Sequence, residues 1–493
     1  MISDLRFRIS NLRLIRYHKI PKPKSEVRNP RKINTKMKNL LILILTISLF
    51  PLAVVSAQTP VATEKLSLRL KASLPDYKGP SKFRGRKALV TFSPDGRLVA
   101  ISGTERSITV WDTETGALKA KLTAKDGVSG FSFSPDGKLA ATRDYLDKSV
   151  RIWDTETWQV KSTLAGRKKN LETKLKAGLS YEQEFGPVEF SPDGSSVLSE
   201  REDDLVALAE VATGQDRFTL NHDTQSSGAK ELLKVVFFGG TRHFLALQTG
   251  FSADGRLVFT INGDKSAKIW DAKTGELRFN IPNNERIYRA SFDPTGTRFL
   301  TVEQEGGMKL WDTETGRLIG EVAKKGWLED LMKSFEISSD GAHIATFYLG
   351  DTRIWSARTG EMKFKLPKSE TTDVLFSPDG RWLATASSDK LSAGKIWDVE
   401  TGTVKTELPG TGAKSVTLAF NADGSILATA NDNGVTLWDP KTGQLLTTLS
   451  EARYPVAFSQ DGRTLVTGAR KDTALLWEMP QRTSAGSTPS TQP

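Results

Sequence analysis

Apolar residues along this chain come in short bursts, and the bursts recur on a fixed beat. Between Ala88 and Thr123 there are four of them. Ala88–Phe92 is apolar and β-prone, and Ser93-Pro94-Asp95-Gly96 then turns the chain. Leu98–Ser102 and Ser107–Trp111 follow, the latter closed by Asp112. Thr115-Gly116 make a second turn, and Ala117–Leu122 alternate apolar with polar. The pattern predicts four strands of about four to six residues each, joined by turn chemistry. Asp-Gly supplies the positive φ of a tight hairpin, since glycine has no Cβ to clash. Proline presets φ at the first corner. The first two strands are apolar on both faces and the last is mixed. That gradient suits a sheet whose inner strands are covered and whose outer strand meets water.

The same unit returns nine times. Turn glycines stand at Gly96, Gly137, Gly194, Gly255, Gly296, Gly341, Gly380, Gly424 and Gly462. About 15 residues after each comes Trp-Asp-x-x-Thr-Gly or a variant, a spacing of blade-repeat size. The tryptophans are Trp111, Trp153, Trp270, Trp311, Trp355, Trp397, Trp438 and Trp477. In the third unit Ala209-Glu210 replace Trp-Asp, yet Thr213-Gly214 keep their place. A period near 40 residues means one supersecondary unit stacked many times.

Phe-Ser-Pro-Asp-Gly, then Ile-Trp-Asp, then Thr-Gly resembles the WD40 repeat, in register over roughly residues 66–479. Periplasmic propellers of the TolB type share Ser-Pro-Asp-Gly but are not expected to add Trp-Asp-x-x-Thr-Gly at constant spacing. The resemblance implies an all-β propeller of four-stranded antiparallel blades. Nine units exceed the roughly four to eight blades that are common, so seven or eight blades stand as alternatives. WD40 repeats often carry a Gly-His pair whose His joins a buried hydrogen-bond network. The chain has four His and no Gly-His, so the blades are expected to lack that network and to rely on packing and turns.

The two ends predict how the ring closes. The last unit, Tyr454–Trp477, has three strands, and upstream of the first unit lies one orphan alternating strand, Leu66–Lys71. Pairing them removes an open sheet edge. Two stretches break the period: Gly166–Gly186, and Asn221–Leu247, which reads as a spare hairpin, a decayed blade or the source of the first strand of the fourth unit, Leu245–Phe251. The chain then divides into a basic leader and signal peptide (1–57), a linker with the closing strand (58–81), the propeller (82–479) and a disordered tail (480–493).

The amino-terminal stretch carries the expectation about location. Leu40–Phe50 is almost wholly apolar, follows Lys36 and Lys38, and leads to Val55-Ser56-Ala57. This predicts a cleaved secretory signal with cut after Ala57, because the apolar core is short of the ~20 residues of a span. The alternative is an uncleaved membrane anchor. Met37 competes with Met1 as the start. The leader also resolves the net charge of +11. Of 69 basic and 58 acidic residues, 12 and two lie in residues 1–38. The remainder, 57 against 56, is nearly neutral and gives no argument for nucleic-acid binding. The absence of Cys excludes disulfides, thiolate metal sites and a lipobox anchor.

Motifs of catalysis are poor. Ser387-x-x-Lys390 with Lys273-Thr274-Gly275 and Lys441-Thr442-Gly443 mimics a penicillin-binding-protein set. Both Lys-Thr-Gly matches, however, sit at the repeat's own turn. Asn431-Asp432-Asn433-Gly434 reads as a turn rather than a calcium loop. No cofactor, metal or catalytic residue is expected. The expected function is a non-catalytic protein-interaction platform in an exported compartment, monomeric and without nucleic acid. The alternative is a propeller enzyme or ligand sensor using the central channel. Residues that depart from the repeat are the partner-contact candidates: Trp158, which replaces a turn glycine and is expected to project, Arg167, Lys168, Lys169, Tyr181 and Trp327.

Overall fold

The computed structural model describes residues 66–75 and 90–480. Within the second range it leaves out 104–106, 126, 145–146, 165, 167–187, 201–205, 221–247, 262–265, 283–286, 304–306, 324–333, 349–350, 368–370, 390, 411–416, 432 and 471–472. The described residues form 36 strands in nine four-stranded antiparallel sheets. These are blades 1 (90–122), 2 (128–164), 3 (188–220), 4 (248–282), 5 (287–323), 6 (334–365), 7 (371–409), 8 (417–449) and 9 (453–478 with 69–74). The sequence left seven, eight or nine blades open, and there are nine. The first strand of blade 4 is Gln248–Phe251, the carboxy-terminal part of the expected Leu245–Phe251. Residues 221–247 of the period-breaking stretch lie outside the described part.

Each blade is a simple meander because each hairpin is local. The packing between blades closes the ring. Nine apolar clusters occupy the nine seams, each shared by consecutive blades. At the last seam Leu74, Val466 and Leu476 of blade 9 pack against Val99, Ile101 and Trp111 of blade 1. The first strands of neighbouring blades meet, so they surround the axis and the fourth strands form the circumference.

The closing strand is Arg69–Leu74, three residues downstream of the expected Leu66–Lys71. It pairs antiparallel with Ala474–Glu478, with Leu70 opposite Trp477 and Leu74 opposite Ala474. Leu66 and Leu68 still contribute, against the cluster between blades 8 and 9. Lys71 Nζ donates to the Thr113 carbonyl at 3.1 Å and to Glu114 at 3.0 Å, binding blade 9 to the first blade's turn. Gly116, at φ +70°, lies so close to Ala72 that a side chain there would collide with it. The turn glycine thus answers both a backbone conformation and a seam.

The expectation that blades hold by packing and turns alone is incomplete. In seven blades the repeat Trp donates its indole N–H to a Thr on the second strand, as in Trp153 to Thr142 (2.8 Å), Trp270 to Thr260 (2.8 Å) and Trp438 to Thr429 (2.9 Å). That Thr stands five residues after the turn glycine each time. Blade 1 has Ile101 at this place, and Trp111 bonds Thr109 of its own strand at 3.0 Å. A buried indole N–H needs such an acceptor. The other side of the Trp is flanked by a fourth-strand residue directly opposite it: Leu118 faces Trp111 and Leu277 faces Trp270. These residues are about half exposed, Leu118 at 50 %, and their position assigns them to covering the ring. Blade 3 supports that reading, since Ala209 replaces the Trp and Asp216 stands opposite it.

Two outcomes follow. Leu74 is fully buried, which is worth about 1.5–3 kcal/mol for the side chain alone. A chain beginning at residue 75 will melt well below one beginning at residue 58, and will aggregate through the exposed Ala474–Glu478 edge. Calorimetry with light scattering measures both. Thr260→Val strands the Trp270 N–H and will cost about 1–3 kcal/mol, read as lost amide protection in blade 4.

Candidate interaction surfaces

The meander gives the ring two unlike rims. Turns between strands 1 and 2 and between strands 3 and 4 lie on one rim. The strand 2–3 loops and the blade-to-blade connections lie on the other. The first rim is built from repeated side-chain bonds. Ser134 Oγ donates to Asp136 at 2.7 Å, and the same carboxylate accepts the Lys138 N–H. Asp154 accepts from the Thr157 N–H (2.9 Å), the Thr157 hydroxyl (3.0 Å) and the Glu156 N–H (3.1 Å). Thr155 joins the two turns by donating to the Gly137 carbonyl at 2.7 Å. The Ser134 hydroxyl, the Lys138 N–H and charge hold Asp136 below the usual carboxylate range, and the N–H and hydroxyl of Thr157 do so for Asp154.

Neighbouring turns also touch around the rim. Gly137 approaches Pro94, Gly194 approaches Pro135, and Gly96 approaches Asp461 across the closing seam. Between blades 6 and 7, His343 Nε2 lies 3.0 Å from Lys363 Nζ and 3.3 Å from Glu400, and Lys363 reaches Glu400 at 3.1 Å. Burial, then the Lys363 charge, pushes the imidazole below its usual value. This rim is a regular, largely self-satisfied surface.

The second rim is where the period breaks. The chain leaves blade 2 at Leu164 and enters blade 3 at Val188; it leaves blade 3 at Leu220 and enters blade 4 at Gln248. All four points are on that rim. The two longest interruptions therefore flank blade 3, the one blade without a Trp. Arg167, Lys168, Lys169, Tyr181 and Trp327 belong to stretches attached to this rim and lie outside the described residues.

Trp158 is on the opposite rim and is not brought together with the other candidates. It was expected to project, but it is half-buried and packs against the cluster between blades 1 and 2, beside Leu98 and Ala120. Its φ is +56°, left-handed for a residue with a Cβ, at a cost of roughly 1–3 kcal/mol. Its buried indole N–H has no hydrogen-bond partner. Sequence showed only that a glycine was missing; the neighbouring blade that receives the ring is not encoded locally.

The axis is lined by first strands, whose free edges are capped from the preceding blade. Gln248 Oε1 accepts the Ala290 N–H at 3.4 Å, and Asp373 Oδ2 accepts the Leu418 N–H at 3.2 Å. Glu189 likewise takes the Phe251 N–H, but burial pushes its carboxyl up to about 7. Among the described residues no three His, Asp or Glu stand close enough to hold a metal ion. The apparent penicillin-binding set is not assembled. Ser387 ends the second strand of blade 7 on the second rim and accepts the Asp389 N–H at 3.0 Å. Gly275 and Gly443 close turns on the first.

The WD40 repeat profile (WD domain, G-beta repeat) matches residues 87–112, 116–154, 362–391 and 402–439. Together with the nine four-stranded blades, these matches support a WD40 β-propeller. Three of the matched WD40 segments begin at or just before a fourth strand; 116–154 and 402–439 run through strands 1–3 of the next blade, and 362–391 through strands 1 and 2. The sequence repeat is therefore one strand out of phase with the blade. Among curated proteins, the Dictyostelium discoideum protein tipD is 36% identical over 115 residues, 22% of this chain and 18% of tipD. Rat apoptotic protease-activating factor 1 is 24% identical over 43% of this chain and 14% of its own length. An uncharacterized WD repeat-containing protein of Synechocystis is 30% identical over 21% of this chain and 30% of its own. The chain spans less than a third of the length of each. A solved eukaryotic initiation factor structure is similar in fold (TM-score 0.52, 17% identity, 77% of this chain and 92% of that one). So is the C-terminal WD40 domain of Sif2 (TM-score 0.50, 13% identity, 85% of this chain and all of that one). A WD40 scaffold fits a protein-interaction role. No described helix is long and apolar enough to cross a membrane.

The turn carboxylates set an acid limit. The folded pKa values of Asp136 and Asp154 lie below the unfolded value of about 3.9, so the contribution of these groups is complete above that value. It is lost as pH falls through the folded values. His343 has the same sign, with full stability above about 6.5. The melting temperature will decline steeply below about pH 4, and Asp154→Asn will flatten that decline, as differential scanning fluorimetry across pH 2.5–7 will show.

Proposed function

We propose that the chain is a non-catalytic protein-interaction platform that binds its partner on the second rim, around blade 3. The observation that supports this reading most is the segregation of irregularity. Seventeen turns of one rim follow a repeated hydrogen-bond scheme or a variant of it, while the period-breaking stretches attach to the other rim. A rigid ring tolerates sequence variation at such connections without disturbing its sheets. In this reading Arg167, Lys168, Lys169 and Tyr181 act before blade 3 and Trp327 between blades 5 and 6, as charged and aromatic anchors. Trp158, packed on the first rim, serves the seam between blades 1 and 2. The ring acts as a monomer.

The apolar segment Leu40–Phe50 and Val55-Ser56-Ala57, outside the described residues, support export with cleavage after Ala57. Amino-terminal analysis of protein from its native source tests this; recovery of cytosolic chain that retains residues 38–57 refutes it. For binding, residues 167–186 and 221–247 are each replaced by a short Gly-Ser linker. At least one replacement will abolish capture of an envelope-fraction partner while leaving the melting temperature within a few degrees. Unchanged capture by both variants overturns the assignment of the surface. A hydrolytic activity surviving purification to homogeneity would favour the channel-enzyme alternative.

A further inference from the structure

The residues that stand opposite the repeat tryptophans are Leu, Val or, once, Met. Leu70, Leu118, Leu277, Leu318 and Leu445 hold this place in five blades. Val160 and Val404 hold it in two. Blade 6 has Met362 opposite Trp355. Residues paired in this way share one face of the sheet, with Cβ atoms about 4.5–5.5 Å apart. Met362 is 45 % exposed, whereas Trp355 beneath it is 5 % exposed. The indole gives its N–H to Thr346 at 2.9 Å. Among these eight covers only the one in blade 6 presents an oxidisable atom, the thioether sulfur. The sequence has six methionines. Met1, Met37 and Met332 lie outside the described residues. Met308 is fully buried and Met479 nearly so. Sulfur oxidation follows access to the oxidant, so exposure ranks Met362 first of the three described.

The seam that Trp355 enters is sparsely packed. Trp355 belongs to the cluster between blades 5 and 6, with Leu310, Val322 and Ile344. A small cavity in the same seam is lined in part by Leu300, Leu310, Ile344 and Ala357. At the outer end, Gly320 stands where Phe218, Phe279 and Phe364 lie against the turn glycine of the following blade. Gly360 meets the Gly320 backbone directly, with no side chain between them. Fewer neighbours therefore hold this indole in place when its cover leaves.

We propose that Met362 is an oxidation site, and that its sulfoxide uncovers Trp355 and loosens the seam between blades 5 and 6. The co-reactant is a hydroperoxide. A lone pair of the Met362 sulfur attacks the terminal OH oxygen, the S–O bond forms and the O–O bond breaks. The proton of the transferred oxygen passes to the leaving oxyanion. Sulfur is thereby oxidised by two electrons, and the peroxide is reduced to water or an alcohol. The product carries a polar sulfoxide on a formerly apolar side chain. The Trp355 N–H is already given to Thr346, so the indole offers the new S–O dipole no donor. The sulfoxide keeps its hydrogen bonds by turning to water, and the indole face is left bare.

The full chain treated with hydrogen peroxide, then read by peptide mass mapping and amide hydrogen exchange, tests the proposal. Met362 is expected to gain one oxygen about tenfold faster than Met308 or Met479. Protection of Asp351–Ser356 and Met362–Lys365 is expected to fall about two- to tenfold once Met362 is oxidised. Val435–Asp439 and Gln444–Leu449 of blade 8, where Leu445 is the cover, will keep theirs. Met362→Leu, with the residue that five other blades use, will hold its protection under peroxide. Met362→Gln, with a polar group at the same place, will show the fall without peroxide. Equal oxidation rates at Met362 and Met308 overturn the proposal, as does unchanged protection in chains fully oxidised at Met362. An equal fall in peroxide-treated Met362→Leu would assign the loss to another methionine and overturns it too. Should a substitution disturb folding, the oxidation rates and the protection of the native chain still decide.

Discussion

A ring of blades can stand only if every seam is made, and the last seam is the one the chain cannot make by continuing forward. Eight seams form between units that follow one another. The ninth needs a strand from the far end of the chain, Arg69–Leu74, laid against Ala474–Glu478. The fully buried Leu74 and the contacts of Lys71 with the first blade's turn then join the two ends through side chains as well as backbone. With this strand in place no blade presents an unfinished edge beside Trp477, and the Trp–Thr bond there, 3.0 Å, is covered like the others. Without it, the seam between blades 9 and 1 loses one wall.

Within a blade the tryptophan organises three strands at once. It stands on the third, donates to a threonine on the second, and is flanked by an apolar residue on the fourth. Blade 3 lacks the Trp and has Ser199, Ala209 and Asp216 where another blade has Thr, Trp and Leu. The coordinated change argues that the three positions form one unit. Their partial exposure on the circumference is then a consequence of covering an indole, and calls for no partner.

Much of this was legible in the chain. Nine turn glycines announced nine repeat units, and the fourth strand missing from the last unit announced the closing one. The position of that strand was off by three residues because Leu66 and Leu68 continue its alternation; they are half-buried against the neighbouring cluster without joining the sheet. The threonine five residues after most turn glycines was visible but went unread, since the lack of Gly-His suggested that the whole buried network was gone. The Trp–Thr bond exists without that His. Trp158 shows the limit of local reading: its hairpin position was evident, but the pocket beside Ala120 comes from the preceding blade. The candidate site was legible only as a place where the period fails, because what binds there is set by tertiary placement and by residues outside the repeat.

The one-strand offset between repeat and blade also bears on how such a ring changes over generations. A duplicated segment running from a Thr-Gly turn to the next Trp-Asp brings the fourth strand of one blade and the first three of another. Inserting or losing one leaves the clasp at residues 69–74 and 474–478 untouched, because each added segment completes its predecessor and is completed by its successor. Copy number is thereby uncoupled from the joint that shuts the circle. A chain built this way can lengthen by whole units, and any one internal unit is free to drift, as blade 3 has, while the others keep the circle whole.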